Sequence, residues 1–163
     1  MERRRDDKVI LKAAALGAIA GMRSMAAPAL LTHEFAEHGA ELGDGRLDRL
    51  LSSENVARVM ALFASGEMLA DKSEFIPDRT SPLPLVGRAV IGSLTAAAYA
   101  VHRRHPVFLP AAVGAASALA STFAAYHLRR YAREELNVPD KLLGLLEDAV
   151  VVGFGKALAD EIE

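Results

Sequence analysis

Residues 107–128 read VFLPAAVGAASALASTFAAYHL, and this stretch contains no Asp, Glu, Lys or Arg. A helix needs about 20 predominantly apolar residues to cross the hydrocarbon core of a bilayer. The stretch reaches that length with Ala, Leu, Val and Phe, and its polar side chains are Ser, Thr, Tyr and His. It therefore predicts a membrane-spanning helix, around which the rest of the chain can be interpreted.

Four further apolar segments accompany this one. In chain order, the five segments are Val9–Leu31, Asn55–Leu69, Leu85–Val101, Val107–Leu128 and Leu142–Ala159. None of them shows the apolar–polar alternation of a strand. The others reach spanning length only by tolerating a charge, or are shorter. The sequence predicts an all-α protein with a single domain over residues 1–163, built as a polytopic membrane bundle of four to five helices.

Composition excludes several classes of function. The chain has 163 residues, 25% of them charged, with a net charge of −2 and no Cys. This charge balance argues against nucleic acid as a partner, and the absence of Cys excludes disulfides, zinc–thiolate sites and thiol nucleophiles. The five His residues lack metalloprotease spacing, and no nucleotide-binding or hydrolase motif is present. We therefore predict no catalytic residue, no cofactor and no metal site.

The N-terminus combines a basic stretch with an apolar segment, as a secretory signal does. However, Arg23 interrupts the apolar segment, and Pro28 makes the small residues before it a poor cleavage site. We interpret this region as a retained first helix. With five spans, the basic residues near the segment ends concentrate on the side of the N-terminus, which predicts a cytoplasmic N-terminus. The same count puts Arg103 and Arg104 on the opposite side.

Small residues recur at the four-residue spacing that lets membrane helices approach closely. Gly17 and Gly21 form a G-x-x-x-G motif, and Gly114 and Ser121 belong to similar pairs in the fourth segment. Ala-rich helices also produce such spacings by chance, in soluble bundles as well. The run from Gly17 to Ser24 echoes the run from Gly114 to Ser121. That echo would fit a weak inverted internal repeat, although chance explains so short a match as well.

Charges inside apolar segments are candidate site residues, because they are costly in a bilayer and must face protein or water. Arg23 and Ser24 follow Gly21 and precede Pro28. This combination predicts a locally broken helix with Arg23 directed inward, which is a common way to build a binding site in a membrane. The alternative is that Arg23 pairs with an acidic residue and locks two helices together.

Two acidic pairs are the complementary candidates for ion or substrate binding. Glu67 and Asp71 lie four residues apart, so both lie on one helical face, and one of them is expected to hold a proton or a cation. Glu147 and Asp148 point about 100° apart on a helix, so only one is expected to face the core. We predict a buried polar centre of Arg23, Glu67 and Glu147, assisted by the other two acids. Non-additive effects of Arg23→Ala and Glu147→Gln would support the pairing.

Three groups of motifs, taken in order, cover most of the chain. They are Gly17-Ala-Ile-Ala-Gly21-Met-Arg23-Ser24 with Pro28-Ala-Leu30, then Gly66-Glu67, Asp71-Lys72, Pro77, Arg79, Pro82, Arg88 and Gly92, and finally Glu147-Asp148-Ala149. Together they resemble the motifs of the bacterial integral-membrane family called domain of unknown function 4126. The resemblance implies several membrane helices and a bacterial origin, and it implies no activity.

The leading functional prediction is a small bacterial inner-membrane protein that acts as a transporter or channel for a small ion or solute. Lipid would surround it, and a homodimer is expected because so short a chain has few helices to enclose a pathway. The alternative is a non-transporting scaffold or lipid-interacting protein, in which the buried charges lock helix packing. The charged fraction of 25% also fits a soluble helical interaction protein, whereas a membrane enzyme lacks a recognisable catalytic set.

Overall fold

The computed structural model describes residues 2–37, 46–70 and 81–162, and the regular elements in these ranges are all α-helices. They are α1 (Glu2–Met22), α2 (Ala26–Glu37), α3 (Arg46–Leu51), α4 (Glu54–Ala70), α5 (Pro82–His102), α6 (Phe108–Glu134) and α7 (Asp140–Ile162). The all-α prediction is therefore confirmed. The predicted count of four to five helices is not, because the first segment is divided between α1 and α2 and a short α3 precedes α4.

Two of the described helices, α5 and α6, are long and apolar enough to cross a membrane. Only 28% of the apolar window of α5 and 22% of that of α6 is buried inside the protein. The core helix of a soluble protein is instead apolar because it is buried. These two helices therefore present apolar surface to their surroundings.

The first predicted segment is a helical hairpin rather than a single helix. The Arg5 guanidinium donates to the Arg103 carbonyl over 3.2 Å, and the ring centroids of Phe35 and His102 lie 4.6 Å apart. The beginning of α1 and the end of α2 thus both lie at the carboxyl end of α5. The predicted break in the helix exists at residues 23–25. There, the chain reverses its direction instead of continuing as a kinked helix.

The other long helices are arranged around this hairpin. The end of α4 contacts the reversal at residues 23–25, so α4 runs antiparallel to α2. Helices α1 and α6 run parallel, because Gly17 faces Gly114 and Gly21 faces Ser121. An inverted repeat would make these two helices antiparallel, so the predicted inversion is wrong for this pair.

Glycines let α1, α5 and α6 approach one another at backbone distance. A Cβ atom on Gly17 would overlap the Gly114 carbonyl, and one on Gly92 would lie 2.8 Å from the same oxygen. A Cβ atom on Gly21 would overlap the Ser121 hydroxyl. The predicted packing residues, Gly17, Gly21, Gly114 and Ser121, therefore all lie where these helices meet.

Several polar and charged side chains are buried beside the apolar core, while many large apolar side chains are exposed. The buried polar and charged residues are Lys12, Arg23, Thr32, Glu34, Arg88, Thr95 and Thr122. Large exposed apolar residues lie on every long helix except α2, for example Leu11, Leu62, Leu83, Leu94, Phe108, Leu128 and Val152. Exposed apolar surface of this extent marks contact with a partner or a membrane.

Candidate functional site

The turn between α1 and α2 interrupts the helical hydrogen bonding. In a continuous helix, the Met25 amide would donate to the Gly21 carbonyl. Here, the Met25 amide donates to Oε2 of Glu67 over 2.9 Å, and the Gly21 carbonyl accepts the Thr122 hydroxyl over 2.9 Å. Side chains from α4 and α6 thus satisfy both halves of the lost bond, as buried backbone requires.

The Glu67 carboxylate caps α2 from a different helix. Its Oε1 accepts the Ser24 amide at 3.0 Å and the Ser24 hydroxyl at 2.6 Å, while Oε2 accepts the Met25 amide. The first amides of a helix have no intrahelical acceptor, and the helix dipole favours negative charge there. Glu67 therefore fixes the turn against α4. It was expected to meet Arg23, but its hydrogen bonds go to the next two residues of the chain.

Arg23 pairs with Asp148, and not with the predicted Glu147. Its Nη2 lies 2.7 Å from Oδ1 of Asp148 on α7, and the two side chains are 3% and 15% exposed. Glu147 lies beside Arg129 of α6 instead, with 3.7 Å between its Oε2 and the Arg129 Nη1. The predicted Arg23–Glu147 pairing is therefore wrong, and Asp148 has the role that was assigned to its neighbour.

The register of α7 explains why Asp148, and not Glu147, faces Arg23. Asp148 belongs to an inward stripe with a spacing of three or four residues, whose other members are all buried: Gly144, Val151, Gly155 and Leu158. Glu147 lies one residue earlier, which turns it by about 100° toward α6. Arg129 also binds both carboxylate oxygens of Asp140, each over 2.8 Å, and so joins α6 to the first residue of α7.

The sequence patterns missed some of the buried polar residues. Lys12 and Glu34 are buried, and their position inside apolar helices was the same signal that identified Arg23. Thr122 has no such signal, because a Thr in an apolar helix is common. Asp71, predicted to act beside Glu67, lies outside the described residues.

Two cavities lie in the part of the bundle around the α1–α2 turn. One of about 330 Å³ lies between α1, α6 and α7 and is lined by residues that include Met22, Ser121, Arg129, Leu146 and Glu147. The other, of about 670 Å³, lies between α1, α2, α4 and α7 and is lined by residues that include Ile19, Ala26, Glu34, Ser65, Val151 and Lys156. Arg23 and Asp148 line neither cavity, although their sequence neighbours Met22 and Glu147 line the smaller one.

The substitution Glu67→Gln is expected to lower the free energy of unfolding by about 1–2 kcal/mol. An amide nitrogen cannot accept a hydrogen bond, so one donor at the turn would lose its partner. Circular dichroism during unfolding in detergent micelles measures the change. The control is Glu54→Gln, which breaks an exposed pair with Arg58 and should cost no more than about 0.5 kcal/mol. Equal losses would contradict the capping role of Glu67.

Comparison with known proteins neither supports nor contradicts the resemblance to domain of unknown function 4126, which stays a prediction. The chain gives no significant match to protein-family models, to curated proteins or to solved structures. A function for this chain must therefore be derived from the capped turn, the ion pair and the cavities beside it.

Proposed function

We propose that this chain is an integral protein of the bacterial inner membrane that moves a small ion or solute past the α1–α2 turn. The observation that supports it most is a buried ion pair, with two cavities near it, inside a bundle that exposes many large apolar side chains. Ionisable residues at membrane depth typically mark substrate or ion pathways. The bacterial origin is the part of the proposal that follows from the family resemblance.

The α1–α2 hairpin has the dimensions of a re-entrant element. The apolar part of α1, from Val9 to Met22, is about 21 Å long, and α2 is about 18 Å long, whereas the hydrocarbon core measures about 30 Å. The turn meets α6 at Thr122, and α6 continues beyond it to Glu134. In this proposal, both helices enter from one face, and the turn ends inside the membrane. Irregular backbone at that depth is tolerated where protein surrounds it.

This topology changes the sidedness of the basic residues but keeps the proposed cytoplasmic N-terminus. The N-terminus, the α5–α6 link and the end of α7 then share one face, with Arg4, Arg5, Lys8, Arg103, Arg104 and Lys156. Within residues 2–37, 46–70 and 81–162, the opposite face has the smaller group of Arg129, Arg130, Arg133 and Lys141. The excess of positive charge favours the cytoplasm for the first face. The five-span count separated Arg103 from the N-terminus, which does not fit the contact between Arg5 and Arg103.

A homodimer in lipid is the proposed assembly. The long helices enclose little volume, and the larger cavity is bounded by four of them, α1, α2, α4 and α7. Light scattering of the protein–detergent complex is the direct test, because one chain has a mass of 17.4 kDa. Two chains per particle would support the dimer, and a single chain would contradict it.

Osmotic swelling of proteoliposomes tests transport without a prior choice of solute. The purified protein is reconstituted, and light scattering follows the entry of potassium chloride, sodium acetate, methylammonium chloride, urea or glycine. We expect at least one solute to enter faster than into protein-free liposomes. Asp148→Asn should change that rate, whereas the exposed-site control Glu54→Gln should not. Swelling no faster than in protein-free liposomes for every solute would contradict transport.

A non-transporting membrane scaffold is the second candidate. The observation that favours it is the closed hydrogen bonding of the turn, in which Glu67 and Thr122 replace the lost helical bonds. The exchange of charges in Arg23→Asp with Asp148→Arg separates the candidates. In a scaffold, the exchanged pair would preserve both folding and cellular role, whereas in a transporter it would preserve folding and abolish solute entry.

A further inference from the structure

We propose that a groove between α1 and α7 binds one anionic phospholipid, with the phosphate at Lys8 and an acyl chain along the apolar wall. The groove is a cavity of about 590 Å³, separate from the two around the α1–α2 turn. Its lining runs from Lys8 to Ala15 on α1 and from Phe154 to Leu158 on α7, so it lies where α1 begins and α7 ends. This inference uses the membrane location in the proposed function, but it does not require transport.

The charge of the groove favours an anion. Among the described residues that line it, the ionisable ones are Lys8 and Lys12, which lie four residues apart and therefore on one face of α1. Lys8 is exposed, whereas Lys12 is 9% exposed and also has a polar contact within the protein. The nearby Asp6 contacts His105 instead, with 3.4 Å between Oδ1 and Nε2. Lys8 is therefore the main partner for a phosphate, and Lys12 adds to the positive charge.

The rest of the lining is apolar and open to the surroundings. Leu11 and Phe154 are 70% and 47% exposed, and the remaining lining residues are Ala15, Ala157 and Leu158. A free phosphate would leave this wall uncovered. An acyl chain would cover it, and burial of apolar surface is favourable. The combination of lysine and an apolar wall therefore fits a lipid rather than a free anion.

The order of charge and apolar surface matches the depth of a phospholipid. In the proposed topology, the beginning of α1 and the end of α7 share one face of the membrane, and the apolar part of α1 begins at Val9. Lys8 then lies at the membrane interface, and Ala15 lies about 10 Å further along the α1 axis. Basic pockets between helices at the cytoplasmic face bind anionic headgroups. A choline or ethanolamine headgroup adds a cation, which the two lysines would repel.

Native mass spectrometry of the purified full-length protein in detergent measures the Kd for each lipid. Dioleoylphosphatidylglycerol and dioleoylphosphatidylcholine have the same acyl chains and differ in the headgroup. We expect the first to bind with a Kd roughly fivefold or more below that of the second, because one lysine near a membrane surface favours an anionic lipid by about that factor. Glycerol 3-phosphate, which lacks acyl chains, should bind much more weakly than the anionic lipid.

The variant Lys8→Gln should remove most of the preference for the anionic lipid. Arg104→Gln is the matched control, because it removes an exposed charge from the same face but outside the groove, and it should leave the preference unchanged. Equal losses in the two variants would overturn the site.

The wild-type comparison does not depend on the folding of any variant. Equal Kd values for the two lipids would overturn the inference. A Kd for glycerol 3-phosphate as low as that for the anionic lipid would also overturn it, because it would indicate a site for a free anion. The transport proposal fails on a different result, which is the absence of swelling for every solute. The two failures are therefore distinguishable.

Discussion

Gly114→Ala is expected to lower the free energy of unfolding by about 3 kcal/mol, near the upper end for overpacking. The new Cβ atom would lie 2.5 Å from the Cβ of Ala96 and would overlap the Gly92 carbonyl. These neighbours are backbone and a Cβ atom of α5, so no flexible side chain can move aside. Helices α5 and α6 would have to separate, and α1 would lose its contact through Gly17. Unfolding in detergent micelles, followed by circular dichroism, measures the loss.

The matched control is Gly153→Ala on α7. Nothing lies within 4 Å of a Cβ atom built at Gly153, so the substitution adds no clash. Ala also favours helix over Gly by about 1 kcal/mol, so the stability should stay the same or increase. A similar loss in both variants would contradict the account of close packing between α5 and α6.

Asp148→Asn is expected to lower the free energy of unfolding by about 3–5 kcal/mol, because it removes the carboxylate that pairs with the buried Arg23 guanidinium. The same unfolding measurement applies. Combination with Arg23→Gln should give a coupling free energy of about 2 kcal/mol, as contacting residues in one ion pair do.

The neighbouring substitution Glu147→Gln is the control for that prediction. The Oε2 of Glu147 lies 3.7 Å from the Nη1 of Arg129, which is too far for a hydrogen bond, and Arg129 keeps two hydrogen bonds to Asp140, so the cost should be smaller than that of Asp148→Asn. If Glu147→Gln costs as much as Asp148→Asn, or if the effects of Arg23→Gln and Asp148→Asn simply add, the assigned pairing is wrong.

Local sequence pattern predicts the helices well. The predicted segment Leu85–Val101 lies within α5, and Val107–Leu128 matches the apolar part of α6. Helix formation depends mainly on residues that are close in sequence. The apolar composition of the segments and the polar or proline-containing connections between them are therefore enough to locate the helices. The break after Met22 was also predictable, since Gly21 and Pro28 each weaken a continuous helix.

Long-range contacts decide what the sequence pattern could not. A broken helix can continue or reverse, and here Glu67 and Thr122, far away in sequence, hold the reversed chain. The choice between Glu147 and Asp148 depends on the register of α7. Gly144, Val151 and Leu158 mark the inward face of α7 and therefore its register. The sequence alone does not show which residues of α7 face inward, so this register could not be read from it. This is why the sequence pattern could not assign the pairing.

The central claim is that the α1–α2 hairpin is a re-entrant element. The most direct test is to determine from which face of the membrane single introduced thiols react. The chain has no Cys, so Arg4→Cys, Glu37→Cys, Pro106→Cys and Glu135→Cys each introduce a unique thiol at an exposed position. A membrane-impermeant maleimide is applied to intact spheroplasts and to inside-out vesicles. We predict that the first three thiols react from one face of the membrane and that Glu135→Cys reacts from the other. Reaction of Glu37→Cys on the face opposite to Arg4→Cys would contradict the hairpin and would restore a single crossing.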